Sequence, residues 1–390
     1  MSRRSFVVGL STLGLALVAG GAVAQDAVKV GLILPMTGPF ASTGRQIEAA
    51  AKLYMAQHGA TAGGRKIELI VKDDTGVADV TKRLAQELVV NDKVSFLTGF
   101  GLTPTALATA PIATEAKVPM IVMAAGTSII TERSLFIVRT SFTLPQNTLP
   151  IADWAAKNGI KKVVSLVTDF GPGHDAEKTF EEVFTKAGGT VAEKLRVPLR
   201  NPDFAPFLQR AADAKPDALF VFVPSGAGSA VMKQFAERGL DKAGIKLIGP
   251  GDVTDDDILN DMGDVALGTI TSMHYSAAHN SPENKAFVEA FRKATNGLRP
   301  NFMAVGGWDG MHVIYQALAK TGGKTDGQAL VDAMKGMKWV SPRGPMSIDP
   351  ETRDVVQNVY VRKVERVDGQ LYNIEFATFE AVKDPGKAPK

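Results

Sequence analysis

Residues 28–58 read VKVGLILPMTGPFASTGRQIEAAAKLYMAQH, and this stretch contains the repeating unit of the whole chain. Val28–Leu34 is an almost wholly apolar run, which is typical of a strand buried on both faces of a parallel sheet. Gly44–His58 carries apolar residues at helical spacing and predicts a crossover helix. Pro35 and Gly38 break the chain between the two, so a strand, a loop and a helix follow one another.

The same unit recurs along the sequence. Further strands are predicted at Lys66–Lys72, Val94–Thr98, Met120–Met123, Val163–Thr168, Thr190–Val197, Ala218–Val223 and Lys246–Ile248. Helices are predicted between them at Val77–Asn91, Thr105–Ala116, Pro145–Asn158, Asp175–Ala187, Pro206–Ala214 and Ser229–Arg238. The alternation ends near Phe142 and restarts with the helix after Pro145. The pattern therefore predicts an α/β protein with two doubly wound lobes.

The last third of the chain has a different order of elements. Helices are predicted at Pro282–Asn296, Phe302–Thr321 and Gly327–Met337, followed by a hairpin of Val355–Glu365 and Gln370–Phe379 about Asp368-Gly369. A chain that adds elements after two complete lobes is expected to cross between them more than once, which makes a hinge with a ligand cleft between the lobes. We expect an N-terminal lobe of residues 25–142 plus 276–352, a C-terminal lobe of 143–275 plus 353–382, and a flexible tail at 383–390.

The first 24 residues have the features of a signal peptide. Arg3 and Arg4 precede the uncharged run Phe6–Val23, and Ala22-Val23-Ala24 is a typical cleavage pattern, so we expect the mature chain to start at Gln25. The arginine pair leaves both general secretion and twin-arginine export open. The sequence has no cysteine, which excludes a thioether-linked lipid at the cleavage site, disulfides and thiolate chemistry. A soluble periplasmic protein without a lipid anchor is expected.

Composition narrows the class of protein further. Removal of Arg3 and Arg4 from 44 basic side chains leaves 42, against 41 acidic ones, which argues against a nucleic-acid partner. None of the five histidines forms an H-x-x-x-H pair, and no G-x-S-x-G motif is present. We therefore expect no enzyme, no metal and no cofactor.

Two motifs have alternative interpretations. Gly171–Ala176 has the spacing of a dinucleotide fingerprint, but Pro172 removes a backbone donor that a pyrophosphate needs, so a plain glycine turn is favoured. The acidic run Asp252, Asp255, Asp256, Asp257, Asp261 and Asp264 lacks the ligand spacing and closing Glu of a calcium loop. Helix capping by Asp255 and Asp256 is the favoured use.

Five short motifs occur in a fixed order along the chain, namely Val28–Pro39, Lys72-Asp73-Asp74, Lys117–Ile121, Arg139-Thr140 and Gly306-Gly307-Trp308-Asp309. In this order the chain resembles the periplasmic substrate-binding proteins of ABC transporters, in the branch that includes the leucine/isoleucine/valine-binding protein. The resemblance covers essentially all of the mature chain. It implies a type I periplasmic binding fold with a ligand between the lobes, at the carboxyl ends of the strands.

The resemblance also implies which residues bind the ligand. Thr103 falls where the family's amino-acid binders hold the ligand carboxylate with a serine hydroxyl. The backbone and threonine position after the next strand is covered by Ala124–Thr127. The family threonine aligns with Gly126, so Thr127 serves only if the loop shifts by one. The candidate ligand-binding residues are Phe40, Thr43, Phe100, Thr103, Ala124, Ala125, Gly126, Thr127, Phe170, Pro172, Pro224, Ser225, Gly251, Asp252 and Trp308.

One departure from the family concerns the ligand's amine. Amino-acid binders carry a Glu that pairs with the ligand ammonium, and this chain has Gly251 there. Because a buried, unpaired ammonium is costly, either Asp252 substitutes or the ligand has no ammonium. Phe40, Phe142 and Phe170 stand near the expected cleft, with Phe100 and Trp308, and such rings sandwich flat ligands. For Phe100 and Phe142, packing in the core or hinge is the alternative use.

These observations favour a monomeric solute-binding component of an ABC importer, which works with an inner-membrane permease. Its expected ligand is a small carboxylate, aromatic if the rings form a sandwich. The alternative in the same transport class is a branched-chain or other aliphatic amino acid with Asp252 as counter-ion. Alternatives outside it are a nicotinamide-dependent oxidoreductase that uses Gly171–Ala176, and a ligand sensor that docks to a receptor.

Overall fold

The computed structural model describes residues 26–387. The predicted signal peptide and cleavage site therefore lie outside the described residues. The first lobe contains β1 Val28–Leu34, α1 Ala41–His58, β2 Thr61–Ala62, β3 Arg65–Asp73, α2 Ala78–Val90, β4 Phe96–Gly99, α3 Thr103–Ala116, β5 Met120–Val122 and β6 Ile137–Arg139. Its sheet has the order β2-β3-β1-β4-β5-β6, parallel except for β2.

The second lobe is built in the same way. It contains α4 Leu144–Lys157, β7 Lys162–Thr168, α5 Gly171–Lys186, β8 Thr190–Val197, α6 Ala205–Asp213, β9 Ala218–Phe222, α7 Gly228–Glu237, β10 Lys246–Pro250, α8 Leu259–Met262 and β11 Ile270–Met273. Strands β8-β7-β9-β10-β11 form a parallel sheet in this order. All five residues of β9 are buried, as expected for a strand covered by helices on both faces.

The rest of the chain returns to both lobes. It forms α9 Pro282–Ala294, α10 Phe302–Thr321, α11 Gly327–Met334, β12 Lys338–Ser341, β13 Gly344–Ile348, β14 Val355–Val367 and β15 Gln370–Val382. Helices α9 and α10 pack on α1 of the first lobe, whereas β14 pairs antiparallel with β11 of the second sheet. The α/β class with two doubly wound lobes is thus confirmed, and no helix among residues 26–387 is long and apolar enough to cross a bilayer.

Two details differ from the expected lobe boundaries. Residues 338–348 were expected in the first lobe, but β12 and β13 continue the second sheet through β14, because their backbone bonds pair there. Residues 383–387 were expected to be a flexible tail, but Asp384 is buried and accepts a hydrogen bond of 3.0 Å from the Ser128 hydroxyl. Lys387 pairs with Asp354, which holds this segment against the first lobe.

The strand order of each sheet determines where a ligand can bind. In the first sheet the strand order reverses between β1 and β4, because β3 lies on one side of β1 and β4 lies on the other. In the second sheet the order reverses in the same way between β7 and β9. At such a switch point the loops after the two strands diverge and leave a crevice at the carboxyl ends of the strands. These loops and the first turns of the helices that follow them contain Phe40 and Thr103 in one lobe and Phe170 and Pro224 in the other.

Candidate functional site

A cavity lies between the lobes, where the two switch points meet, and its free volume in this arrangement is about 30 Å³. Its lining residues are Phe40, Thr43, Gly101, Leu102, Thr103, Ala124, Ala125, Gly126, Phe142, Leu144, Phe170, Pro172, Phe222, Pro224, Ser225, Asp252 and Met303. Such a volume has room for only a few water molecules, so a larger ligand would need the lobes to move apart.

Two helix N-termini meet a pair of threonine hydroxyls at one corner of this cavity. Helix α3 begins at Thr103, whose Oγ1 lies 2.7 Å from Thr127 Oγ1. Gly171, the first residue of α5, comes so close that a Cβ there would lie 2.8 Å from Thr127 Oγ1. Neither helix has a side-chain cap on its first N–H groups. Because helix N-termini combine free N–H groups with partial positive charge, this corner suits an anion.

Phenylalanine rings from both lobes make the cavity largely apolar. Phe40 and Phe142 come from the first lobe and the first crossover, and Phe170 and Phe222 come from the second lobe. The rings of Phe170 and Phe222 are nearly parallel, with centroids 6.1 Å apart. Rings in such offset arrangements provide faces and edges for another flat ring.

The second lobe contributes two polar side chains. Ser225 donates its hydroxyl to Asp255, so that hydroxyl is already occupied. Asp252, the first charged residue after β10, is buried, and its Oδ2 has no hydrogen-bond partner among the described residues. Burial raises the pKa of Asp252 to about 7, although the positive charge of Arg362 opposes this shift. Asp252 is the charged side chain on the cavity wall.

The place of the family's ammonium-binding carboxylate is filled by an arginine. A Cβ on Gly251 would lie 2.0 Å from Arg362 Nη2, so no side chain fits there. Arg362 is buried and lies 3.8 Å from Asp256 Oδ2. Arg362 thus occupies the space beside Gly251 into which a longer side chain would project, and it is not among the residues that line the cavity. Gly251 itself, which the sequence placed at the site, therefore lies behind the cavity wall.

Most sequence-predicted site residues come together at the cavity. Phe40, Thr43, Thr103, Ala124, Ala125, Gly126, Phe170, Pro172, Pro224, Ser225 and Asp252 line it, and Thr127 stands directly behind Thr103.

Two predicted rings lie elsewhere. Phe100 is fully buried in the core, where its backbone bonds Ile33 and Ala125 at 3.0 Å. Trp308 packs edge-to-face on Tyr54 of α1 with centroids 4.9 Å apart, and it is not among the residues that line this cavity. The reason is helical geometry: the α10 face that reaches the cavity carries Met303, and Trp308 faces α1.

Sequence reasoning did not place Gly101, Leu102, Leu144, Phe222 and Met303 in the candidate set. Phe222 is the last residue of β9 and Leu144 the first of α4, so proximity to a predicted strand end was the available signal.

The capping role expected of the acidic run was wrong. Asp255 binds Ser225 and Asn301, and Asp256 accepts a bond of 3.0 Å from Asn373. Among residues 26–387 no group of three or more His, Asp or Glu side chains could hold a metal ion.

Contacts between the lobes hold the cavity closed. Asn301 Nδ2 donates to Asp255 Oδ2 at 2.9 Å, and Ser128 N donates to Asp175 Oδ2 at 2.9 Å. The Ser42 hydroxyl of α1 also donates to Asp257 of the second lobe. Because these bonds join the lobes around the cavity, separation of the lobes would open it to an incoming ligand.

Known proteins share this arrangement. A family model described as periplasmic binding protein matches residues 27–370. The Leu/Ile/Val-binding protein homolog 6 of Brucella abortus (strain 2308) is 47% identical over 383 residues, which cover 97% of this chain and 98% of that protein.

Two solved structures are similar over 93% of this chain and 100% of their own. One is a solute-binding protein of an ABC transporter from Rhodopseudomonas palustris BisB5 in complex with 3,4-dihydroxybenzoic acid, with 68% identity and a TM-score of 0.92. The other is the corresponding type of protein from Rhodopseudomonas palustris HaA2 in complex with p-hydroxybenzoic acid, with 44% identity and a TM-score of 0.91. The chain belongs to the periplasmic binding protein family, in the branch of ABC-transporter solute-binding proteins that includes the Leu/Ile/Val-binding proteins.

Proposed function

We propose that the protein binds a benzoate-type aromatic carboxylate in the interlobe cavity and delivers it to an ABC permease. The observation that carries this proposal is the cavity itself: it is small, lined by four phenylalanines, and bounded at one corner by two uncapped helix N-termini. The two similar proteins solved with hydroxylated benzoic acids support the same ligand class.

The carboxylate is assigned to the corner of Thr103 and Thr127. Asp252 is the charged residue on the cavity wall, so the ligand anion has no lysine or arginine partner there. Hydroxyl and N–H donors can take that role, since hydrogen bonds to an ionised acceptor are short and strong. The N-termini of α3 and α5 add favourable partial charge from both lobes, so the anion itself favours closure.

The ring is assigned to the phenylalanine walls. A benzoate ring gains apolar contact from each wall and about 0.5–1.5 kcal/mol for each aromatic pair. An α-ammonium would find no carboxylate on the cavity wall except Asp252, and Arg362 behind that wall carries the same charge as the ammonium. A ligand without an amine therefore fits better than an amino acid, unless Asp252 alone holds the ammonium.

Transport also requires export and a partner. Residues 1–24 carry the pattern of a cleaved signal peptide, and family membership supports a periplasmic location. In this proposal the protein works as a monomer without catalytic activity, and a permease recognises its closed form. The lobe contacts at Ser42 and Ser128 make that closed form distinct from the open one.

Calorimetry of the purified protein tests the ligand class. We expect benzoate, 4-hydroxybenzoate and 3,4-dihydroxybenzoate to include a tighter ligand than leucine or valine. Phe170→Ala should weaken that ligand about 5- to 50-fold, since it removes a wall of the cavity. Phe376→Ala is the matched control, because Phe376 is half exposed and lies outside the cavity. Tighter binding of leucine than of every benzoate would overturn the proposal and assign Asp252 as an ammonium partner.

A further inference from the structure

Asp252 has no evident structural use in the closed protein. It is 3% exposed, and its Oδ2 accepts no hydrogen bond from any described residue. A buried polar atom without a partner costs about 1–3 kcal/mol, and more when the group is charged. Asp252 is one of the residues that line the cavity, so its carboxyl group lies next to the space that a ligand would fill.

Of the other polar side chains of the wall, Thr103 and Ser225 are committed to protein partners, and Thr43 belongs to the first lobe. Thr103 is bonded to Thr127 at the anion corner, and the Ser225 hydroxyl donates to Asp255. Asp252 cannot serve the ligand carboxylate, since two anions repel each other. It must therefore meet a part of the ligand that donates a hydrogen bond or carries positive charge. Arg362 lies close enough to lower the cost of ionising Asp252, and it disfavours a second cation there.

The position of Asp252 in the sheet fits a group on the far side of a ring. The anion corner lies beside the loop after β7, and Asp252 follows β10 in the same sheet. Strand β9 separates β7 from β10, so the two loops start about 10 Å apart. That spacing suits one aromatic ring with a polar substituent at each side and a hydrogen bond beyond each substituent.

We infer that Asp252 accepts a hydrogen bond from a ring hydroxyl and so selects hydroxylated benzoates over plain ones. This inference rests on the proposed function, since it assumes that the carboxylate lies at the corner of Thr103. It extends that function, because an aromatic acid can bind without any group that uses Asp252. A carboxyl keeps an acceptor oxygen whether it is protonated or ionised, so the role does not depend on its charge.

A matched pair of ligands tests the inference. 3,4-Dihydroxybenzoate and 3,4-difluorobenzoate have similar shapes, but only the first has hydrogens to donate. Calorimetry of the wild-type protein should show the dihydroxy ligand bound about 10- to 100-fold more tightly, as expected for a hydrogen bond to a carboxyl group. Equal affinity for both would overturn the inference and leave the proposed function standing. Failure of both to bind would overturn the proposed function itself.

Variants of Asp252 complete the test. Asp252→Leu keeps approximate volume and removes the acceptor, so the preference for the dihydroxy ligand should fall to about threefold or less. Asp252→Ala gives the same readout if the Leu variant does not fold, as judged by thermal unfolding. Asp261→Ala is the control, because Asp261 is exposed on the same lobe and should leave the preference unchanged. A wild-type preference that survives in the folded Asp252 variants would overturn the inference.

Discussion

Thr103 and Thr127 are 24 positions apart in the chain, and their hydroxyls share one hydrogen bond at the anion corner. Each hydroxyl has one hydrogen to donate, so the pair can direct one of the two hydrogens to a ligand. The second lobe approaches this pair through Gly171, where a side chain would collide with Thr127 Oγ1. The corner is thus completed by both lobes, which links ligand binding to closure.

Thr103→Val should weaken binding of the aromatic acid by about 1.5–3 kcal/mol, the range for a hydrogen bond to a charged group. Calorimetry measures the loss. The fold should persist, since the volume is nearly conserved, and Thr109→Val offers a control because Thr109 lies further along α3 and bonds only a helix carbonyl. Unchanged affinity in Thr103→Val would remove this hydroxyl from the binding site.

Asp252 should also control how stability depends on pH. Its pKa is raised from 3.8 to about 7 in the folded protein, so the folded state binds a proton more tightly than the unfolded state. Its contribution is therefore favourable below about pH 4 and is lost as the pH rises towards 7. Asp252→Asn has no carboxyl at this position and so avoids this loss. The free energy of unfolding of the variant, relative to that of wild type, should therefore rise by about 2–4 kcal/mol between pH 4.5 and 7.5.

Urea unfolding at the two pH values measures the difference. The raised pKa of Asp255, about 8, acts on wild type and variant alike, so it cancels in the comparison. Asp261→Asn, at an exposed position, should show no such rise. A stability difference for Asp252→Asn that is constant with pH would mean that Asp252 is not desolvated as the structure indicates.

At the scale of elements, strand positions followed from the sequence more closely than helix starts. β1 and β8 have the predicted bounds, whereas α1, α3 and α5 begin two to four residues before the prediction. The first turn of a helix tolerates glycine, proline and polar residues, since its N–H groups have no helical partner, and so it lacks the apolar spacing that signals a helix. Those first turns line the cavity, which is why the sequence located the loops and Thr103 but not the two helix N-termini that complete the anion corner.

Arg139, at the end of β6, supports a ligand loop without touching the cavity. Its Nε donates to Asp354 Oδ1 at 2.7 Å, and its Nη2 donates to the Thr127 carbonyl at 2.7 Å. Arg139→Met should destabilise the protein by about 3 kcal/mol, near the low end for a broken buried ion pair, because Lys387 still pairs with Asp354.

Chemical denaturation measures this cost, and calorimetry should show weaker ligand binding because the loop at residues 125–127 loses its support. The control is Lys194→Met, which breaks an ion pair with Glu181 in which both side chains are exposed, and it should cost less than about 1 kcal/mol. An equal loss in the free energy of unfolding for the two variants would show that burial of the Arg139 ion pair adds nothing to its contribution to stability.

At the scale of the whole molecule, the two lobes followed from the alternating pattern, but their closing contacts did not. Ser42 and Asp257 are 215 positions apart, and Ser128 meets Asp175 only because the N-terminal end of α5 in one lobe packs against a loop of the other. Such contacts depend on the relative orientation of complete lobes, for which local sequence carries no signal. Trp308 shows the same limit, since only the packing of α10 on α1 turned its ring away from the cleft.

Ser42→Ala should weaken ligand binding without removing any ligand contact. The Ser42 hydroxyl bonds Asp257 across the lobes, and a bond of this kind contributes about 1 kcal/mol to the closed state. Apparent affinity falls with the fraction of protein that is closed, so the dissociation constant should rise about three- to tenfold. The rise should come mainly from faster dissociation, and small-angle scattering of the free protein should show a more open average. Ser229→Ala, in the first turn of α7 and outside the cavity, should change neither quantity. If Ser42→Ala instead binds and scatters as wild type does, the bond to Asp257 does not contribute to closure, and the remaining lobe contacts must account for it.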